Sequence, residues 1–516
     1  MLVVYLPRKI MSMAPHFYIQ QLRSRFGHTH FLPQQWETIE CLLAGEKVLL
    51  VQRTGYGKSL IYQFAALQFP GITLVFSPLM ALMRDQTKKL NEKGIGAAYI
   101  NSEQSIDDQL EILKNASLGQ YKLLYIGPER LDNAIWQQWL QALHIDLVVI
   151  DEAHCISSWG HDFRPAYTGI VHLIKELPSS LPVLACTATA PPNVEKDIRL
   201  QLNAQNMRSL KGSLERKNLA LSVLYVDHES HRLVQIIKLL NQSEGCGLIY
   251  AGTKKQAEIY AEWLKSQGVA SAFYHAGLSD KRRKKLEKEW MENRYRCLVA
   301  TNALGMGVDK PDVRFVFHLQ IPVSPMHYYQ EAGRAGRDGL SAQVVLMFHP
   351  NDIKLPRSFI QNDLPFEHLA EKAMAILSKG NKSIGGLASE LKIPYMDSYR
   401  LLKRLSTEKK VFELKKSVYK SSMLNLYVSK IDINLWKEYR LGELDKMIQY
   451  AATKMCRMQM LRMYLGDESA HICGHCDNDS GIRVPTPPNA VEIERAEIFL
   501  KGLQTSQTTG KKVGKR

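Results

Sequence analysis

No apolar run in this 516-residue chain approaches the roughly 20 residues that a bilayer-spanning helix needs, so no membrane-spanning helix is expected. The stretch Met1 to Ile10 carries Pro7, Arg8 and Lys9 and lacks the apolar core of a secretory leader, which leads us to expect a cytoplasmic protein. Cysteine is scarce. Of eight residues, Cys41, Cys155, Cys186, Cys246 and Cys297 stand singly, which excludes a disulfide framework, while Cys456, Cys473 and Cys476 cluster as metal ligands would. Acidic residues are also short: 51 Asp and Glu face 67 Lys and Arg, a net charge of +16 that favours a polyanionic partner through counterion release, although a solvated basic surface accounts for it equally well. With 45% hydrophobic and 23% charged residues the chain is not mainly disordered, and its length calls for about three or four domains.

Short β-branched apolar runs alternate with amphipathic stretches over the first two thirds of the chain. Lys47 to Val51, Thr73 to Phe76 and Leu147 to Ile150 form one set; Gly247 to Tyr250, Arg296 to Ala300 and Val313 to Phe317 form a second. Continuous apolar runs of this length read as parallel strands buried on both faces, so the expected architecture is α/β, with two doubly wound parallel-sheet domains in tandem. Beyond Pro350 the periodicity becomes helical. Ser383 to Leu391, ending before Pro394, and Met396 to Leu405 read as two short helices; Lys410 to Leu414 and Leu424 to Val428 read as strands. Helix, turn, helix and wing fit that order, as does a small helical packing domain. The stretch from Ser480, rich in Pro and Thr and ending Lys511-Lys512-Val513-Gly514-Lys515-Arg516, reads as a disordered basic tail.

The run Gln52-Arg53-Thr54-Gly55-Tyr56-Gly57-Lys58-Ser59 sits between a strand ending at Val51 and a helical stretch. Strand, glycine loop, Lys-Ser and helix make a phosphate cradle. Backbone N–H groups face the phosphates, Lys58 reaches the β and γ groups and Ser59 holds Mg²⁺. Gln52 stands where the usual first glycine belongs, but a second buried strand delivers Asp151 and Glu152, a metal-binding carboxylate and a group able to orient and deprotonate water. ATP hydrolysis is the expected chemistry.

Asp151-Glu152-Ala153-His154 resembles the box that names the DEAD/DEAH group of the second helicase superfamily. The rest of that set follows in order: Ser77-Pro78-Leu79, Pro128-Glu129-Arg130, Thr187-Ala188-Thr189, Tyr274 to Gly277, Ala300 to Asp309, and Gln330 to Arg337. The segment Cys155 to Pro165 looks like the aromatic-rich loop of the RecQ DNA helicases, with Trp159 and Phe163 offering π faces to bases and Arg164 a cation. The resemblance spans Phe26 to about Gly339 and resumes around Cys456. It implies two RecA-like domains with ATP between them, Lys58, Asp151, Glu152, Arg334 and Arg337 as the catalytic set, and Arg334 and Arg337 as arginine fingers. It further implies nucleotide contacts from Gln35, Thr54, Gly55, Gly57, Ser59, Gly305 and Asp309, and DNA contacts from Trp159, His161, Phe163 and Arg164. The family usually has Arg at Leu32 and an aromatic at His28, and both departures weaken the expected adenine contact of Gln35.

Cys456, Cys473 and Cys476 match three of the four zinc cysteines of that family; the fourth position is Asp479, and His475 and His471 are alternative ligands. In the familiar order the zinc module follows the motor and a winged helix comes after it, whereas here the wing-like segment precedes the cysteines. The expected domains are an N-terminal extension (1–26), an ATP-binding domain (27–213), a second helicase domain (214–350), a winged-helix-like domain (365–430), a small helical zinc module (431–480) and a tail (481–516). The resemblance implies an ATP-dependent, 3′ to 5′ DNA helicase of repair and recombination. It would use ATP, Mg²⁺ and Zn²⁺, bind single-stranded DNA and duplex junctions, associate with the nucleoid, and work with repair and recombination proteins. An RNA helicase and a non-unwinding DNA-binding regulator are the competing readings; the retained Lys58, Asp151, Glu152, Arg334 and Arg337 disfavour the latter.

Overall fold

The computed structural model describes residues 15–510, except 54, 102, 132–135, 137–138, 158–165, 305–309, 363–365, 408–410, 416, 422–432 and 482–484. The apolar runs form two parallel sheets. In the first, β1 (Lys47–Val51), β2 (Ile72–Phe76), β3 (Ala97–Ile100), β4 (Leu123–Ile126), β5 (Ile145–Ile150), β6 (Val183–Thr187) and β7 (Arg208–Lys211) lie in the order β3-β4-β2-β5-β6-β1-β7. Val48 to Leu50, Leu74 to Phe76 and Leu147 to Ile150 are fully buried, which is why these strands lack polar alternation. Val51 pairs with Thr187 and Phe76 with Ile150, so Gln52, Ser77, Asp151 and Ala188 emerge together at the carboxyl edge of the sheet.

The second sheet comprises β8 (Leu219–Tyr225), β9 (Cys246–Tyr250), β10 (Ser271–Tyr274), β11 (Cys297–Ala300), β12 (Val313–His318) and β13 (Ala342–Phe348), in the order β10-β11-β9-β12-β13-β8. Tyr250, Tyr274, Ala300 and His318 share its carboxyl edge. In both sheets the chain changes direction beside a central strand, and the crevices where ligands settle in such folds lie outside the carboxyl ends.

Two terminal expectations need correction. The helix His16–Phe26 is no mere extension: Leu22 and Phe26 join the core of the first α/β domain, and Tyr18 meets Trp36 with ring centroids 5.1 Å apart. Nor is the region after Ser480 a disordered tail throughout. A helix runs over Ala490–Gly510, and Ala496, Phe499 and Leu500 pack onto the second core, Phe499 lying 5.1 Å from the Trp263 ring. Glu492 pairs with Lys238 at 2.9 Å. The Pro- and Thr-rich composition masked apolar residues at positions 493, 496 and 500, whose spacing places them on one helical face. The terminal basic residues 511–516 lie outside the described chain.

The segment after Pro365 forms helix Phe366–Leu377, β14 (Lys382–Ser383), helix Ile384–Leu391, helix Tyr395–Thr407, β15 (Val411–Lys415) and β16 (Val418–Ser421), with the strands antiparallel in the order β14-β16-β15. This is winged-helix order. Met374, Leu377, Leu387, Leu402, Leu405, Val411 and Tyr419 form its core. Ser383 caps the middle helix by accepting the Gly386 N–H, and Lys392 ends it in left-handed backbone. The second wing strand is Val418–Ser421; the expected strand at 424–428 lies outside the described residues. The winged helix interrupts another structure: helix Lys354–Asn362 packs against helix Ile433–Ala452, where Lys437 Nζ donates to the Gln361 carbonyl at 2.6 Å. By internal packing the chain divides into two units, Met1–Gly212 with Phe366–Lys430 and Ser213–Pro365 with Ile431–Arg516.

Candidate nucleotide site and metal centre

The phosphate loop begins where β1 ends. Gly55 and Gly57 adopt φ of 83° and 84°, backbone that a side chain disfavours, and Gly57 starts the helix Lys58–Ala66, whose free N–H groups point toward the loop. Lys58 Nζ donates to the Gln52 carbonyl at 2.8 Å. The Gln52 side chain, which replaces the customary glycine, is buried and donates to Gln34 Oε1. A Cβ on Gly212 would meet it at 2.0 Å, so Gly212 is the residue that makes room. Thr54 lies outside the described residues.

Gln35 is buried beside this loop. Its Oε1 accepts the Leu32 N–H at 2.8 Å, and its Nε2 donates to the carbonyls of Tyr56 at 3.1 Å and Gly57 at 3.4 Å. The Tyr56 hydroxyl donates to the Pro33 carbonyl. The amide expected to read adenine therefore ties the loop before helix Gln35–Leu43 to the phosphate loop, a role that no motif match announced.

At the end of β5, the Asp151 carboxylate accepts hydrogen bonds from Ser77 Oγ at 3.3 Å and the Glu152 N–H at 3.1 Å, and Tyr167 donates its hydroxyl to the Asp151 carbonyl at 2.8 Å. Burial pushes the Asp151 carboxyl up to about 6; adjacent Glu152 adds to the shift and Lys58 opposes it. Lys58 and both acids thus share one electrostatic site. Glu152 has φ of 49°, unusual for a residue with a side chain, and its carboxylate lies 3.3 Å from Nδ1 of the fully buried His154. That nitrogen is also 2.9 Å from Thr187 Oγ1, whose hydroxyl donates to the Thr189 carbonyl. The acidic box is thereby hydrogen-bonded to Thr187-Ala188-Thr189. Trp159, His161, Phe163 and Arg164 lie outside the described residues.

In the second unit Arg334 and Arg337 follow the helix Pro325–Ala332, and Arg334 is buried near Tyr250. Glu331 sits between His318 at 3.0 Å and His327 at 3.3 Å; burial alone would raise its carboxyl, but the two imidazoles hold it well below the usual range. Gly305 and Asp309 lie outside the described residues.

The ligand atoms of Cys456, Cys473, Cys476 and Asp479 lie within 4.8 Å of one another. Gly474, at φ 78°, turns the chain between the last two cysteines and donates its N–H to Asp479 at 3.0 Å. Backbone N–H groups of Cys473 and Gln459 point at Cys456 Sγ, and that of Arg457 at Cys476 Sγ, donors that suit thiolates. His475 Nδ1 instead faces the Cys473 carbonyl, and His471 lies between Ser469 and Glu215. Three sulfurs and one carboxylate oxygen in this cluster fit a tetrahedral zinc ion. Carboxylates beside the site fasten the module within its unit. Asp477 accepts the Val223 N–H of edge strand β8 at 2.9 Å and pairs with Arg457; Asp467 accepts the Leu214 N–H at 3.0 Å and pairs with Arg462 at 2.8 Å.

Comparison with known proteins matches residues 32–197 to the DEAD/DEAH box helicase family, 230–339 to the helicase conserved C-terminal domain and 429–480 to the RecQ zinc-binding family. The ATP-dependent DNA helicase RecQ of Synechocystis is 35% identical over 89% of this chain and 97% of its own length. The Bacillus subtilis protein of the same name is 36% identical over 89% of this chain and 66% of its own, and the Haemophilus influenzae protein 40% identical over 64% and 53%. The chain therefore spans about half to two thirds of the length of several curated relatives. Among solved structures, helicase MrfA bound to DNA and AMPPNP aligns at a TM-score of 0.55 and 20% identity, covering 82% of this chain and 64% of that one, which is a likeness of fold. The helicase motifs, the match of residues 429–480 to the RecQ zinc-binding family and the near full-length match to the Synechocystis protein together make this chain a member of the RecQ family of helicases.

Proposed function

We propose that the protein is an ATP-dependent DNA helicase that moves 3′ to 5′ on single-stranded DNA and separates duplexes in repair and recombination. The convergence of Lys58, Asp151 and Glu152 at the carboxyl edge of the first sheet carries this reading, because a binding module needs none of them. Lys58 and the helix N-terminus bind the phosphates, Glu152 orients and deprotonates water, and Arg334 and Arg337 neutralise charge developing on the γ-phosphoryl group. Ser59 and Asp151 offer only oxygen donors, the set Mg²⁺ prefers, and the ion would supply further charge neutralisation on the phosphates. Gln35 and its neighbours set the loop on which ATP sits. Trp159, His161, Phe163 and Arg164 serve as DNA contacts, with Thr54, Gly305 and Asp309 completing the nucleotide set. Among the described residues no helix is long and apolar enough to cross a membrane, and we place the protein in the cytoplasm at the nucleoid with repair and recombination proteins as partners.

ATP hydrolysis measured with no nucleic acid, with single-stranded DNA and with single-stranded RNA tests the substrate. DNA should stimulate strongly and RNA weakly; equal or greater stimulation by RNA would favour an RNA helicase, and no hydrolysis under any condition would leave a DNA-binding regulator.

Zinc held by Cys456, Cys473, Cys476 and Asp479 is part of the same proposal. Protein purified without added zinc should carry one equivalent, and Asp479→Ala should weaken retention about 10- to 100-fold. Elemental analysis after graded chelation reads this directly. Full retention by the variant would remove Asp479 from the ligand set.

A further inference from the structure

Arg216 precedes β8 and belongs to none of the helicase motifs, yet it is only 3% exposed. Its guanidinium donates to three backbone carbonyls: Gly333 at 3.1 Å, Ala335 at 2.6 Å and Gly336 at 3.0 Å. These residues bracket Arg334 and immediately precede Arg337. Asn218 completes the cradle. It lies 3.4 Å from Arg216 Nε through Oδ1 and donates Nδ2 to the carbonyls of Gly336 and Leu340, each at 2.8 Å.

The end of a helix leaves its last carbonyls without intrahelical partners. Here the N–H groups of Gly333, Arg334 and Ala335 take the carbonyls of Tyr329, Glu331 and Ala332, and the loop beyond the helix turns the next carbonyls, of Gly333, Ala335 and Gly336, inward, where a planar cation with five donors in a fixed fork can satisfy all three. A lysine in the same place is a single point charge and cannot span the set. Gly336 is required for the turn: its φ is +56°, and a Cβ there would lie 2.3 Å from Asn218 Nδ2 and 2.7 Å from the Leu340 carbonyl. The segment carrying Arg216 is itself anchored at Leu214, whose N–H is held by Asp467 and whose carbonyl accepts the Tyr329 hydroxyl. Holding the Gly333 carbonyl fixes the peptide plane that enters Arg334, and holding the Gly336 carbonyl fixes the plane that enters Arg337, so both side chains leave a backbone set by Arg216.

We propose that Arg216 is the positioning residue for Arg334 and Arg337, setting the loop in the geometry that ATP hydrolysis needs while contributing little to nucleotide binding. The inference rests on the reading of those two arginines as the groups that neutralise the transferring phosphoryl. Charge stabilisation that acts only in the transition state changes kcat, whereas uniform binding changes KM. A mispositioned cation loses the first and keeps the second, since an offset of an ångström can cost about a hundredfold.

The test uses the full chain with saturating single-stranded DNA and compares Arg216→Met, Arg216→Lys, Asn218→Ala and Arg334→Ala with the parent. Arg216→Met should lower kcat by about 10²- to 10³-fold with KM for ATP within about threefold, magnitudes typical of a lost transition-state donor. ADP with aluminium fluoride, a mimic of the phosphoryl in flight, should bind more weakly by a similar factor while ADP alone binds as before. Arg216→Lys should recover part of kcat, and Asn218→Ala should show a smaller loss with the same split. Should Arg216→Met fail to fold, the other two loop variants carry the measurement. Parent-like kcat in the Arg216 and Asn218 variants, or equal weakening of ADP and its fluoride complex, overturns the proposal. Parent-like kcat in Arg334→Ala would instead overturn the assignment of Arg334, so the two failures are distinguishable.

Discussion

Lys58→Ala should lower DNA-stimulated ATP hydrolysis by about a thousandfold and abolish unwinding, the scale of losing a principal cation on a transferring phosphoryl group. Lys58 heads the helix Lys58–Ala66, so its ammonium adds to the partial positive charge of that helix end. With the hydrogen bonds from the Glu152 N–H and Ser77, it also opposes the upward push on the Asp151 carboxyl, so its removal should raise Asp151 further and reduce the carboxylate fraction near neutral pH. Stability should barely fall, because Lys58 is partly exposed and its protein contact is the Gln52 carbonyl. Steady-state hydrolysis alongside thermal melting checks both halves. Activity above a tenth of the parent's would remove Lys58 from the catalytic set, and a large drop in melting temperature would make the loss one of folding.

Asp467→Ala should be the costlier change for stability. Arg462 is 1% exposed, and Asp467 answers both its Nε and the Leu214 N–H. Deleting one partner of a buried pair leaves the other charge desolvated, a loss of about 3–5 kcal/mol. The pH dependence has a definite sign. Burial alone would raise the Asp467 carboxyl, but hydrogen bonds from Arg462, Ser469 and the Leu214 N–H hold it below the usual range. A depressed folded value means the stabilisation is complete above the unfolded value of about 3.9 and is lost as pH falls through the lower folded one. Urea unfolding should therefore show the full deficit at pH 7 and a shrinking one below about pH 4. A deficit that grows in acid would contradict the assignment.

Legibility in the sequence followed the physics of each element. Strands such as Leu147–Ile150 were readable because a parallel strand buried on both faces leaves an uninterrupted apolar run. Lys58 was readable from the glycine loop that leads into its helix, and Asp151 and Glu152 from the apolar strand that ends immediately before them. Asp479 could be placed by spacing, although only the folded chain shows that its carboxylate oxygen lies within 4.8 Å of all three sulfurs. What stayed hidden depends on partners distant in sequence. Gln52 fills space left by Gly212, Gln35 spends its amide on neighbouring backbone, and Arg216 serves carbonyls more than a hundred residues away. The helix Ala490–Gly510 is hidden behind a Pro- and Thr-rich composition, and only the spacing of Ile493, Ala496 and Leu500 marks its apolar face.

The interruption between helices Lys354–Asn362 and Ile433–Ala452 has a thermodynamic consequence. Bringing the ends of a chain segment as long as 363–432 together would cost roughly 4 kcal/mol in closure entropy if the segment were random coil. The winged helix spends that entropy on its own core, where Leu387, Leu402 and Tyr419 are buried, so the loop left to close is far shorter. Folding of the insert and pairing of the two flanking helices become linked equilibria. Whatever binds and stabilises the folded winged helix then also favours the helix pair from which it springs.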